Sequence, residues 1–279
     1  MGRDLLTRLD GTTEVVDEVR LDATVDAVGM IVRIESDPTV PALVELAGTH
    51  GSKGHRARVD ELLPDHRDRG TLLLQLLDDM PMAALISMYG ATRAMDDWNL
   101  PPEAASNMAD LCAGWERGAT MLDALERTSI FPIPVGPPAP AIEPAHDPLA
   151  WHDLVPLVPR SVRRRRRLDL LPGEPTAMDV HFRDSHMGDD GLEDVLHEYT
   201  LAVSLDHDLT VLTSEPAARV LPWPECPGAL ASASRVVGQP VSALRQLVTS
   251  EFTGTSTCTH LNDVLRSLAG ATALAMAVR

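Results

Sequence analysis

The sequence predicts an α+β fold in two pseudo-repeated halves, each a small antiparallel sheet or hairpin packed with helices. Apolar and polar residues alternate over residues 19–26 and again over 200–206, the period-two pattern of a half-buried strand. Leu, Ala and Met recur at helical spacing over residues 71–88, and Leu261, Val264, Leu265 and Leu268 do so near the C-terminus. The halves also align with one another. E-V-R-L-D-A-T-V-D at 18–26 can be laid over E-Y-T-L-A-V-S-L-D at 198–206. A chain of 279 residues, 44% hydrophobic, can fill a core for each half. Aromatics make up only 3%, so those cores must be mostly Leu, Val, Ala and Met.

Residues 14–37 read as a β-hairpin, with Gly29 between its two apolar stretches. Pro41 opens a short helical turn to residue 46. Residues 50–69 are rich in Gly, His and charge, and predict a loop with a weak helix near 59–63. The strongest helix of the first half follows at 71–88, with Pro81 kinking or restarting it. Another helix, carrying Cys112, is expected over 103–125 after Pro101 and Pro102. F-P-I-P-V-G-P-P-A-P-A-I-E-P from residue 131 has few backbone donors and should be extended and semi-rigid. It divides the chain into 1–130, a proline-rich linker at 131–159, and 160–279. The third part opens on five arginines, Arg163 to Arg167, expected to sit on a strand edge paired with the protein's own carboxylates, or to meet an anionic ligand group.

The second hairpin leads to the stretch around which the chemistry is expected. W-P-E-C-P at 223–227 puts Cys226 just before Pro227, where a helix should begin, and Gly238 and Pro240 stop that helix. S-T-C-T-H-L-N-D at 256–263 puts Cys258 among capping residues at a second helix start, with His260 two residues on. A thiol at a helix N-terminus loses its proton more easily. Two thiolates and an imidazole suit zinc or iron, so Cys226, Cys258 and His260 are the candidate metal ligands. His181 and His186 in M-D-V-H-F-R-D-S-H-M, and His197 with Glu198 in V-L-H-E-Y-T, are the candidate proton-transfer groups. The competing expectations are cysteines that serve only as small buried hydrophobes and histidines that are solvated or bound to backbone. The first half has neither Cys nor His where Cys226, Cys258 and His260 stand, so the second half is expected to carry the chemistry.

A net charge of −17 repels nucleic acid and anionic lipid, so neither is an expected partner. An odd count of three cysteines suggests no disulfide framework and points to a reducing cytoplasm.

Two resemblances add to this. R-R-R-R-R-L-D at 163–169, the D-x-H segment at 179–181, P-E-C-P at 224–227 and above all C-T-H-L at 258–261 resemble the bacterial domain-of-unknown-function family 2889. That name implies no activity. Residues 197–268 are more distantly similar to iron–sulfur cluster scaffolds of the NifU-like fold, through C-P-G-A-L-A-S-A-S at 226–234, V-V-G-Q-P at 236–240 and C-T-H-L-N-D at 258–263. The scaffold's first cysteine is missing here; its place falls near His197 and Glu198. The expectation is therefore a cytoplasmic enzyme acting on a small, partly apolar molecule at a Cys/His/carboxylate site. A bound metal would make it a metal-dependent lyase, isomerase or hydrolase. The alternatives are an iron–sulfur cluster or metal carrier, and a binding or assembly protein without chemistry. A small-molecule substrate is the expected partner, and self-association stays open.

Overall fold

The computed structural model of the protein describes residues 1–92, 108–142, 149–153 and 155–277. It is an α+β protein with two antiparallel sheets, one of three strands and one of four. Contacts group the chain into two units. The first holds residues 1–85, 240–245 and 267–279; the second holds 86–239 and 246–266. Neither unit is one continuous stretch, so they do not follow the sequential division at the proline-rich segment.

In the first unit, β1 (Gly2–Thr7), β2 (Thr13–Val25) and β3 (Ile31–Asp37) pair in chain order. β1 adds a strand to the expected hairpin. A 3-10 turn (Pro41–Leu46) follows, then α1 (His55–Leu62), α2 (Pro64–Arg69) and α3 (Leu72–Thr92). The polar stretch expected to be mainly loop thus forms two helices. Their few apolar residues decide this, because Val59 and Leu63 join Val19, Ile31, Ile34, Leu43, Leu46 and Leu77 in one core. Burial there outweighs weak local propensity. Pro81 lies inside α3. Arg245 is buried in this unit between Asp60 (2.5 Å) and Asp78 (2.6 Å).

In the second unit, β4 (Val162–Leu171), β5 (Thr176–Met187), β6 (Glu193–Leu205) and β7 (Val211–Val220) again pair in chain order. Met178, Val180, Phe182, Tyr199, Leu201 and Val203 are buried. Period-two alternation puts them on one face of the sheet. A 3-10 helix (Cys226–Val236), α5 (Val241–Glu251) and α6 (Thr259–Ser267) follow in the chain; residues 241–245 of α5 and all of α7 (Ala271–Ala277) belong to the first unit. Cys226 and Cys258 stand at helix starts as the sequence indicates, although the first helix is 3-10. His181 and His186, weighed also as loop residues, lie within β5.

The helix expected at 103–125 begins outside the described residues. From 108 onward it is replaced by a 3-10 turn (Ala113–Trp115) and α4 (Thr120–Thr128). The proline-rich segment is extended but not free. Val195 N donates to Pro137 O at 2.9 Å, Ala139 N to Glu193 O at 2.7 Å, and Arg183 to Pro140 O at 2.6 Å. Gly136 allows the approach, since a Cβ there would lie 1.6 Å from Val195 O.

The two halves repeat in detail. Asp26 N donates to Met30 O and Asp206 N to Thr210 O, both at 2.9 Å, and each Asp caps its own hairpin turn through Oδ1. Gly48 N donates to Ile31 O and Gly238 N to Val211 O, both at 2.8 Å. Asp4 stands opposite Asp17 in β1–β2, as Asp184 stands opposite His197 in β5–β6, and a bulge follows at the next residue in both. Among the described residues, no helix is long and apolar enough to cross a membrane.

Candidate metal centre

Asp184 on β5 and His197 on β6 are cross-strand partners, so their side chains share one face of the sheet. α6 brings His260 onto them. The rings of His197 and His260 are stacked, with centroids 3.5 Å apart and planes 15° apart. His260 Nε2 lies 3.6 Å from Asp184 Oδ2. One ligand atom from each of the three residues falls within 4.8 Å of the others. No other group of three His, Cys, Asp or Glu residues does so among the described residues. Both rings are half-buried, yet His197 Nδ1 and His260 Nε2 are shut off from solvent and have no hydrogen-bond partner among the described residues.

Burial keeps the rings neutral. Burial pushes His260 down to about 3, with the Arg164 guanidinium adding to the effect. Burial and the neighbouring His260 ring hold His197 well below the ordinary imidazole value. A neutral imidazole is the form that binds a metal. Asp184 is fully buried and takes two hydrogen bonds from Arg164, Nε to Oδ1 and NH2 to Oδ2, both 2.8 Å. Arg164 NH1 reaches Asp263 Oδ2 at 2.6 Å, and Asp263 also accepts from Arg266. One member of the arginine run is therefore buried structure: its side chain is 8% exposed and lies over the Phe182 ring.

The thiols lie elsewhere. Neither Cys226 nor Cys258 belongs to the His/His/Asp group, so the expected sulfur ligand set gives way to a carboxylate and a second imidazole at His260. Cys112, Cys226 and Cys258 are all buried and free. Tyr199 donates to Cys258 Sγ at 3.3 Å. Burial pushes Cys112 up to about 11 and Cys226 to about 12. It also raises Cys258, although the Tyr199 hydroxyl and the N–H groups of His260 and Leu261 favour its thiolate. The expected helix-start activation is outweighed by desolvation.

Glu198, the residue after His197, points to the opposite face. It accepts from His181 Nε2 (2.7 Å) and from Arg183 NH2 (2.9 Å) and Nε (3.1 Å). Burial alone would raise Glu198; these hydrogen bonds outweigh it and hold the carboxyl below its ordinary value. His181 also lines a groove of about 440 Å³ with Asp179, Thr200, Glu215 and Arg219. His186 is buried, five residues along β5 from His181 and so on the other face. The four proton-transfer candidates thus divide between two faces instead of meeting at one site.

Read from the sequence, Asp184 is grouped with His181 and His186 but given no role in the centre, and Arg164 and Asp263 are left out of it. Asp184 was visible as the middle of H-F-R-D-S-H, but nothing local tied it to His197 or His260.

Residues 162–274 match the family described as protein of unknown function (DUF2889). This region is similar to that family. The DUF2889 region contains every residue of the centre, from Arg164 on β4 to Arg266 on α6. No curated protein and no solved structure matches the chain. The likeness to the scaffold fold rests on its sequence segments alone.

Proposed function

We propose that the protein is an enzyme acting on a small, partly apolar molecule at a divalent-metal centre formed by Asp184, His197 and His260. The observation that carries this reading is the convergence on a buried carboxylate of two neutral imidazoles, each with a partnerless buried nitrogen. Orphaned buried nitrogens cost stability, and a metal would satisfy a nitrogen that it coordinates. Three protein ligands leave positions open on a zinc- or iron-type ion. Such an ion supplies Lewis acidity or a more acidic bound water.

A cluster carrier is the weaker reading. It requires sulfurs that are exposed and easily deprotonated, and the three thiols are neither.

Elemental analysis of the purified protein tests the proposal. About one equivalent of zinc or iron is expected, lost in His197→Ala and His260→Ala and retained in Cys258→Ala. Metal retained by both histidine variants, or absent from the wild type and not taken up on reconstitution, overturns it.

A further inference from the structure

We infer that Arg164 sets the affinity and selectivity of this centre by competing with the metal for Asp184. The inference rests on the metal-centre reading above. Both oxygens of Asp184 already carry an Arg164 donor at 2.8 Å. A dication beside a guanidinium in a buried site is repelled by it, and the repulsion is far stronger than in water. Loading the centre therefore requires Arg164 to loosen its hold.

The fold gives the guanidinium somewhere to go. Its third nitrogen is already 2.6 Å from Asp263, and the Phe182 ring centroid lies 4.8 Å from its central carbon. Leaving Asp184 would not strand a buried positive charge. Meanwhile His260 Nε2 stops 3.6 Å short of Asp184 Oδ2, beyond a good hydrogen bond. The carboxylate is thus committed to arginine while the imidazole beside it waits for a partner.

Selectivity follows from the competition. Zn²⁺, Co²⁺ and Fe²⁺ gain two imidazole ligands, which offset the lost ion pair. Mg²⁺ and Ca²⁺ favour oxygen ligands and gain little from imidazole, so they cannot displace Arg164.

Cobalt(II) titrated into the metal-stripped full chain, followed by its visible absorption, tests this. Arg164→Lys keeps the positive charge but loses the two-pronged grip on Asp184. It should bind cobalt about tenfold more tightly than wild type, equivalent to about 1.4 kcal/mol. Asp263→Asn removes the charge that draws Arg164 away and should bind about tenfold more weakly. Magnesium should compete in neither the wild type nor Asp263→Asn. Circular dichroism confirms folding, and either variant alone suffices for the test. Unchanged cobalt affinity in a folded variant, or a change of opposite sign, overturns the role of Arg164 and leaves the centre standing. A wild type that binds no cobalt overturns both.

Discussion

His197 and Glu198 are consecutive in β6, yet His197 stacks on His260 while Glu198 accepts hydrogen bonds from His181 and Arg183 on the opposite face. The pleat of the strand enforces this separation. One face holds neutral imidazoles against a carboxylate already paired with arginine; the other holds a carboxylate kept ionised by its own partners.

Stability of the metal-stripped protein should fall as the pH drops below neutrality. An unfolded histidine takes up its proton near pH 6.5, whereas folded His260 does so only near 3. Between these values the unfolded chain binds a proton that the folded chain refuses, so acid favours unfolding. The contribution is complete above about 6.5 and lost progressively toward 3, and His197 acts in the same direction. Glu198, depressed in the fold, adds a further loss only below about pH 4.3. Urea midpoints measured from pH 8 to 5 should decline in the wild type and decline less steeply in His260→Gln, where His197 still contributes. A wild-type midpoint constant over that range contradicts the burial of neutral rings.

The three thiols should be inert in the native state. Cys112, Cys226 and Cys258 are buried, and desolvation raises all three. Reaction with a chromogenic disulfide reagent at pH 8 should be slow in buffer and complete for all three in guanidinium chloride. Rapid labelling of Cys258 in the folded protein would restore it as a candidate nucleophile.

Gly136 should tolerate no side chain. A methyl group there meets Val195 O, so the extended segment would have to leave β6. Gly136→Ala is expected to cost roughly 1–3 kcal/mol, the usual range for overpacking. It should also speed hydrogen exchange at the amides of Ala139 and Val195, which bond across this junction. A variant with wild-type melting and exchange would show that the segment is not held there.

Local pattern carried a good part of the fold. Alternation marked β2 and β6, helical spacing marked α3 and α6, and cap and proline signals placed Cys226 and Cys258 at helix starts. The aligned hairpins exposed the repeat, which recurs down to equivalent turn hydrogen bonds at Asp26 and Asp206. β1 was less legible, because its six residues became a strand only by pairing with β2. α1 and α2 were obscured by their polarity, since the burial of Val59 and Leu63 depends on residues far away in sequence.

The sequence by itself determined the α+β class, the two repeated halves and a second half with Cys and His at positions where the first has neither, because these follow from local periodicity and residue type. Only the tertiary structure decided which of those groups meet. Asp184, His197 and His260 lie on three different elements, and no spacing rule joins them. The regular antiparallel register of β5 and β6 sets Asp184 opposite His197, and the packing of α6 sets His260 over both. Helix-start position favoured ionised thiols, but burial, a property of the whole fold, raised them instead.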